Sequence, residues 1–192
     1  MDGSPDRRPS RLLRLAFAFY LALAVAGLVG LGWVRQGPLP LALFLVPAQL
    51  PADLALGLAA AALLAGVWEL GRRHLSAARE LEARLAEVLG GVGRDEALAL
   101  ALLSGLAEET LFRGALQSGL GWAAATALFA LLHSGPQRAM RLWGLFALAA
   151  GALFGGLVAW RGTLAPAVIA HVGVNALNLL RLSYRRGPAA RG

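Results

Sequence analysis

Three ionisable side chains interrupt a long apolar run, and this feature constrains the fold more than any other. The run extends from about Ala97 to Leu120 and contains Glu108, Glu109 and Arg113. As a helix it is long enough to cross a bilayer, because a span needs about 20 residues. Each charge would then lie at hydrocarbon depth, where it costs on the order of 2.5–3.5 kcal/mol. Such a cost is rarely met without a function, so we expect the chemistry of the protein here.

The spacing of these charged residues predicts different surroundings for the two glutamates. Glu109 and Arg113 are four residues apart and can pair on one face of a helix. Glu108 points about 100° away around the helix axis, and it has no partner nearby in the sequence. The pattern therefore predicts that Glu108 meets a group from another helix.

The composition indicates an integral membrane protein that forms a single domain over residues 1–192. Hydrophobic residues make up 58% of the sequence and charged residues only 15%, which is outside the soluble class. The 18 basic residues are all arginines, and most of them lie at the ends of apolar runs rather than in a patch with aromatic residues. We interpret them as topology signals that face anionic lipid, and we expect no nucleic-acid partner. The absence of cysteine excludes disulfides, thiolate catalysis and cysteine metal sites.

The hydropathy pattern predicts an all-α transmembrane bundle with six spans and one amphipathic surface helix. The predicted spans are 12–34, 54–70, 97–120, a short helix at 122–133, 142–160 and 163–182. A cleaved signal peptide is the alternative for the first span, but its apolar stretch is too long for one. Residues 72–89 show apolar residues at helical spacing with charges between them. This pattern predicts an amphipathic helix on the membrane surface, or else a solvated linker helix.

The arginines also predict the orientation of the chain in the membrane. Only Arg35 and Arg161 fall on one side of the six predicted spans, and Arg113 lies inside. The other side carries Arg7, Arg8, Arg11, Arg14, Arg72, Arg73, Arg79, Arg84, Arg94, Arg138, Arg141, Arg181, Arg185, Arg186 and Arg191. The positive-inside rule therefore places both termini in the cytosol. A lysine-free composition rich in arginine and alanine is typical of a GC-rich bacterial genome, which predicts the inner membrane as the location.

Two histidines and an asparagine lie at nearly the same predicted depth as the glutamates. His133 ends the fourth predicted helix, and His171 and Asn175 share a face of the sixth. At about 1.5 Å per residue from the outer turns, Glu108, His133 and Asn175 lie roughly 18–19 Å deep and His171 roughly 13 Å. The alternative is a polar cluster that only holds helices together, but that role needs amides and hydroxyls rather than two carboxylates.

Three ordered motifs in this layer resemble those of the CPBP family, the CAAX prenyl protease and bacteriocin-processing (ABI) intramembrane endopeptidases. The motifs are Glu108-Glu109-x-x-x-Arg113, Phe129-x-x-x-His133 and His171-x-x-x-Asn175. The likeness covers about residues 97–180, so the first two predicted spans carry no motif. The resemblance implies a helical bundle that cuts peptide bonds of membrane-embedded or membrane-associated substrates, with the motif residues at its catalytic site.

Two ways of activating water for this reaction stay open. A zinc ion could be held by Glu108, His133 and His171, with an open position for water. In the metal-free alternative, Glu108 and His133 polarise water while His171 and Asn175 donate hydrogen bonds to the developing oxyanion. We favour the metal-free route, because Asn175 is a poor zinc ligand and His171 is estimated to lie roughly 5 Å shallower than the other two. Ser104 has no histidine within sequence reach, so we do not expect a serine nucleophile.

Two other functions could use the same polar layer. A non-catalytic scaffold or immunity protein of the same fold would tolerate the loss of Glu108. A proton-coupled transporter could use the carboxylates and histidines as a relay, but it predicts inverted repeats or broken helices in matching halves. The sequence shows no such symmetry, since the motifs all lie in its second half. The pattern therefore favours an intramembrane endopeptidase.

Overall fold

Helices account for almost all of the residues that the structure, a computed structural model, describes: 11–37, 39, 41–89 and 92–184. This part of the chain contains no β-strand. Its α-helices are α1 (Arg11–Arg35), α2 (Leu50–His74), α3 (Ser76–Leu89), α4 (Arg94–Glu109), α5 (Gln117–Leu120), α6 (Trp122–Leu132), α7 (Arg138–Arg161) and α8 (Ala165–Tyr184). The predicted all-α class is therefore confirmed.

Three shorter helical segments complete the described chain. A π-helical segment, Thr110–Leu116, joins α4 to α5 without a break. Two single-turn 3-10 helices, Leu41–Leu43 and Pro47–Gln49, lie in the proline-rich stretch before α2. Tight turns follow at Gly121 and Gly162, where φ is +86° and +74°. Glycine adopts these left-handed conformations at no steric cost, and both turns lie where the sequence predicts them.

Four helical stretches of the described chain are long and apolar enough to cross a membrane. They are Leu13–Arg35, Leu41–His74, Arg138–Arg161 and Ala165–Ser183. Helix α6 is apolar but shorter, and α4 carries charges at both ends. These stretches show that the chain is a membrane protein. Two of the six predicted spans, 97–120 and 122–133, are not among the stretches that are both long and apolar enough.

The prediction of one helix over 72–89 is wrong. Residues 72–74 continue α2 to His74, and a new helix, α3, begins at Ser76 because Leu75 is extended between them. Helix α3 is amphipathic as predicted, and its buried residues are Ala77, Ala78, Leu81 and Glu82. Its apolar face packs against α2, α7 and α8, so it covers the bundle rather than standing apart as a linker.

Glycines allow α1 to pack closely along the run from α4 to α5. A Cβ atom on Gly27 would lie 2.8 Å from the backbone nitrogen of Leu111, and one on Gly119 would lie 3.3 Å from Val34. Gly27 comes before Val34 in α1, and their contacts Leu111 and Gly119 follow in the same order. The two helices therefore run in the same direction. Small residues permit such close approach between membrane helices.

The main core lies between α2, α7 and α8. Its buried residues are Ala60, Leu64, Ala150, Phe154, Leu157, Ala167, Ala170 and Val174. Helix α8 also packs against α4, where a Cβ atom on Gly105 would lie 2.6 Å from a methyl carbon of Val172. This close contact brings α8, which carries His171, against the end of α4, which carries the glutamates.

Charged residues connect the helices at two levels. Arg161 Nε donates to Asp53 Oδ1 at 2.7 Å, and Thr163 Oγ1 donates to Asp53 Oδ2 at 3.2 Å. At the opposite ends of α2 and α8, Arg181 Nη1 lies 3.2 Å from Glu69 Oε2. Asp53 is fully buried, so the charge of Arg161 is needed there to compensate it.

Some sequence predictions concern residues outside the described part of the chain. These residues are Arg7, Arg8, Arg185, Arg186 and Arg191, which contribute to the predicted orientation.

Candidate active site

Two adjacent glutamates end α4 where the helix changes to π-helical geometry. Glu108 and Glu109 are the last residues of α4, and the π-helical segment Thr110–Leu116 follows directly. The prediction of a regular α-helix through 97–120 is wrong at this point. A π-turn contains more residues than an α-turn and occurs frequently at functional sites. The depth estimate made with a regular helical rise therefore does not hold across it.

Glu109 is fully buried, and its Oε1 atom has two partners. Arg113 Nη1 lies 3.1 Å from it and His171 Nδ1 lies 2.7 Å from it, while the Oε2 atom is buried without a hydrogen-bond partner. Arg113 also donates to the carbonyl of Gly151 at 3.3 Å, and its guanidinium lies 4.4 Å from the centre of the Phe129 ring. The predicted pairing of Glu109 with Arg113 is confirmed, and Glu109 orients His171 as well.

Glu108 meets histidines from two other helices, as its isolation in the sequence predicts. Its Oε2 atom lies 3.7 Å from His133 Nε2 and 3.9 Å from His171 Nε2. These distances are too long for direct hydrogen bonds, and the buried Oε2 atom has no hydrogen-bond partner among the described residues. Both histidines reach the same oxygen, so the estimated difference in depth does not separate His171 from the other two residues.

The hydrogen bonds of the two imidazoles decide which ring nitrogen faces Glu108. His133 Nδ1 lies 2.8 Å from the carbonyl oxygen of Phe129, and a carbonyl can only accept, so Nδ1 carries the proton. His171 Nδ1 donates to the carboxylate of Glu109 in the same way. In neutral rings both Nε2 atoms are then acceptors. Water has two protons to donate, so one molecule can satisfy two of the three acceptors that converge here.

Asn175 is held by Ser104 beside this cluster. Its Nδ2 atom donates to Ser104 Oγ at 2.9 Å, and Ser104 Oγ donates to the carbonyl of Ala101 at 3.2 Å. Ser104 lies one turn before Glu108, and Asn175 lies one turn after His171. The hydroxyl of Ser104 therefore donates its hydrogen bond within its own helix, which argues against a nucleophilic role.

A cavity of about 260 Å³ adjoins the Ser104–Asn175 pair. Residues of α1, α2, α3, α4, α7 and α8 form its walls, which are mostly apolar. Besides two tryptophans, the side chains with polar groups in its wall are Tyr20, Glu82, Ser104, Asn175, Asn178 and Arg181. An apolar cavity with a few convergent polar groups is the usual form of a ligand site.

A comparison with known families identifies the segment that carries this site. Residues 96–177 match the family model described as type II CAAX prenyl endopeptidase Rce1-like. This segment, which is less than half of the chain, is similar to the Rce1-like family. The match confirms the resemblance drawn from the three motifs. No curated protein and no solved structure matches the chain.

The Rce1-like family is a protease family, so the match supports a CAAX-type intramembrane protease at the level of the family. It does not favour the scaffold or the transporter. The Rce1-like segment contains the six predicted site residues, which are Glu108, Glu109, Arg113, His133, His171 and Asn175. The structure brings the first five into one cluster and places Asn175 beside them.

Sequence reasoning missed the aromatic side chains that support the histidines of the Rce1-like segment. Phe154 stacks on His171 with ring centres 5.3 Å apart, and Trp143 lies edge-on to His133 at 5.7 Å. Both come from α7, which carries none of the motifs. An aromatic residue in an apolar helix gives no sequence signal of the side chain that it will contact.

The donor types of the Glu108, His133 and His171 cluster suit zinc, but their positions do not. Ligands on a tetrahedral zinc with bonds of about 2.0–2.1 Å lie about 3.3 Å apart. The two nitrogen–oxygen distances here are 3.7 and 3.9 Å. Within the described ranges, no group of three or more His, Asp or Glu side chains is arranged to hold a metal ion. The residues as placed therefore do not fit a zinc ion.

Proposed function

We propose that this protein is an intramembrane endopeptidase that hydrolyses peptide bonds of membrane-associated substrates with water activated at Glu108. The observation that carries the proposal is the convergence of two imidazole Nε2 atoms on one buried oxygen of Glu108. A cluster that only joined helices would be expected to satisfy its own buried acceptors. This cluster leaves Glu108 Oε2 without a hydrogen-bond donor, so that water can donate to it, in a segment that matches a protease family.

Glu108 is the general base in this proposal, and His133 helps to orient the water. Water donates one proton toward Glu108 Oε2 and the other toward His133 Nε2. Glu108 takes its proton as the water oxygen bonds to the carbonyl carbon, and the electron pair of the C=O bond moves to the carbonyl oxygen. When the C–N bond breaks, Glu108 returns the proton to the leaving nitrogen. The products are a carboxylic acid and an amine, so atoms and charge balance.

The remaining motif residues position this machinery. With Nδ1 bound to Glu109, a neutral His171 is an acceptor at Nε2, so it can donate to the oxyanion only as an imidazolium. We therefore assign His171 to a positioning role, in which its hydrogen bond to Glu109 joins α8 to the end of α4 beside Glu108. Asn175 keeps a second amide proton beyond the one given to Ser104, which suits it as a donor to the oxyanion. Arg113 compensates Glu109.

The proposal includes six spans, with both termini cytosolic and the inner membrane as the location. The run from α4 to α5 and the short α6 would add two spans to the four long apolar stretches. In an alternating topology the first and third spans run in the same direction. Helix α1 and the run from α4 to α5 do so, which supports this count together with the distribution of arginines.

Cleavage of quenched fluorescent peptides by the purified protein in liposomes tests the proposal. The peptide set contains a prenylated CAAX peptide, the substrate class in the family description, and unprenylated apolar peptides. We expect the wild type to cleave at least one of them and Glu108→Gln to lower kcat by about 10²–10⁴-fold, because the general base is lost. Glu87→Gln, on the exposed face of α3, is the matched control. Normal turnover by Glu108→Gln would contradict the assignment of the base.

Elemental analysis of the active enzyme, with activity measured after exhaustive chelation, tests the metal-free mechanism. We expect less than stoichiometric zinc and unchanged cleavage after chelation. Stoichiometric zinc whose removal stops cleavage, and whose return restores it, would overturn the metal-free mechanism while leaving the protease assignment in place.

A further inference from the structure

The motif residues offer more acceptors than donors to a substrate. Glu108 Oε2 and the Nε2 atoms of neutral His133 and His171 all accept hydrogen bonds. The Arg113 guanidinium is buried and bound within the protein. Among the motif residues this leaves one amide proton of Asn175 for the carbonyl oxygen, which needs donors as it gains negative charge. Acyl-transfer sites usually aim more than one donor at that oxygen.

Tyr20 brings a further hydroxyl to this space from α1. Its side chain lines the same cavity as Ser104 and Asn175. It is also near enough to Glu108 to interact electrostatically with the carboxylate. Helix α1 lies outside the matched segment, 96–177, and carries none of the motifs. The neighbourhood of Tyr20 is therefore visible only in the tertiary structure.

The packing of α1 holds Tyr20 at the level of the site. Gly27 contacts the backbone of Leu111 closely, and Tyr20 precedes Gly27 by about two helical turns, so both point to the same side of α1. The two helices run in parallel, so the position opposite Tyr20 lies about two turns before Leu111. That position is Ser104. Tyr20 is thus placed opposite Ser104, within one turn of Glu108.

The Tyr20 hydroxyl is available to a ligand. In the described residues Tyr20 makes an edge contact with the Phe19 ring at 5.3 Å, and no hydrogen bond of its hydroxyl is found. A phenol that faces an apolar cavity gains free energy from any acceptor that enters it. Trp143 also lines the cavity with a donor, but its ring lies against His133.

We propose that the Tyr20 hydroxyl donates a hydrogen bond to the carbonyl oxygen of the scissile peptide bond and acts with Asn175 as the oxyanion site. The inference rests on the proposed function and adds a catalytic residue from outside the matched segment. The hydroxyl keeps its proton throughout, so the water chemistry at Glu108 is unchanged. Its contribution is greatest in the transition state, where the oxygen carries most charge.

The test is steady-state cleavage by Tyr20→Phe in liposomes, with the quenched peptide that the wild type cleaves fastest. We expect kcat to fall by about 10²-fold, the scale for loss of one oxyanion donor, with KM within about twofold because ground-state binding is little affected. The acid limb of the pH–rate profile should stay in place. Leu21→Ala is the matched control on α1, since that side chain is 61% exposed, and it should leave kcat unchanged. Thermal unfolding of each variant shows that the fold is kept.

Each of the other possible results would contradict a specific part of the inference. An unchanged kcat would show that Tyr20 does not stabilise the transition state. A shift of the acid limb would show that Tyr20 acts through Glu108, and a change in KM alone would show a role in substrate binding only. The proposed function fails separately, if the wild type cleaves no peptide or if Glu108→Gln stays active. Loss of activity in Glu108→Gln with a normal Tyr20→Phe would overturn only the assignment of Tyr20.

Discussion

Glu108 and Glu109 are neighbours in the sequence, yet a turn of about 100° between them gives them different partners. Glu109 uses Oε1 for both Arg113 and His171. Glu108 Oε2 faces only imidazole nitrogens that are too distant for direct hydrogen bonds. The Oε1 atom of Glu109 is thus already engaged by two partners, whereas no hydrogen bond holds Glu108 Oε2. The difference in surroundings therefore divides the pair into a positioning residue and a candidate base.

Arg113→Ala should lower the free energy of unfolding by about 3–5 kcal/mol, because it leaves Glu109 buried and unpaired. Glu108→Gln should change it by less than about 1 kcal/mol, since it removes a charge without breaking an ion pair. Chemical denaturation in detergent micelles measures both. Arg84→Ala is the matched control, because the Arg84–Glu80 pair has the same spacing but both side chains are exposed, and its loss should cost under about 1 kcal/mol. Equal effects of the two arginine variants would show that the buried pair is not structural.

Contacts between helices decide whether the site is assembled at all. The histidine of α8 reaches the glutamates only because α8 approaches the end of α4 at Gly105, where a side chain would meet Val172. Helix α1 approaches the π-helical segment through Gly27 in a similar way. The hydrophobic effect does not drive helices together in lipid, so close packing of small residues supplies much of the free energy of their association.

Gly105→Ala should lower the free energy of unfolding by about 1–3 kcal/mol, the usual cost of overpacking. It should also reduce kcat, because the new Cβ atom, 2.6 Å from a carbon of Val172, pushes His171 away from Glu109. Gly66→Ala is the matched control: nothing lies within 4 Å of its Cβ position, so the higher helix propensity of alanine should stabilise α2 by about 0.5–1 kcal/mol. Thermal unfolding and the peptide assay measure the two effects, and a stabilising Gly105→Ala would refute the close-contact explanation.

The site lies within an apolar bundle of helices that has ion pairs near its ends. Asp53 with Arg161 joins α2 to α7, and Glu69 with Arg181 joins the other end of α2 to α8. The cavity beside the site is lined by α3 as well as by the longer helices. This arrangement matches the proposed topology, in which the ends of α2 lie on opposite sides of the membrane.

The absence of cysteine makes that topology directly testable by labelling single introduced cysteines. In intact cells, a membrane-impermeant maleimide should label Arg35→Cys, which the positive-inside rule places outside. Gln137→Cys, in the loop between α6 and α7, should be labelled only after the cells are permeabilised. Both positions are exposed, so accessibility within the fold does not bias the comparison. Labelling of Gln137→Cys in intact cells would contradict the six-span arrangement.

The sequence alone predicted the features that depend on local spacing. Helical periodicity and apolar length predicted most of the helices, and the four-residue separation predicted the Glu109–Arg113 pair. The three motifs identified the candidate site residues because their spacing is also local. The break between α2 and α3 and the π-helical segment after Glu109 have no such signal, since both depend on how each helix packs against its neighbours.

Which side chains from distant helices meet depends on the tertiary structure. His133 and His171 present Nε2 to Glu108 because Phe129 and Glu109 hold their other nitrogens, and these contacts depend on the packing of α4, α6 and α8. Tyr20 reaches the same region because α1 packs against a segment 84 residues later in the chain at Gly27. Hydropathy shows only that each helix is apolar, and in lipid the choice of partner rests on shape at the contact surfaces, which a single sequence does not display.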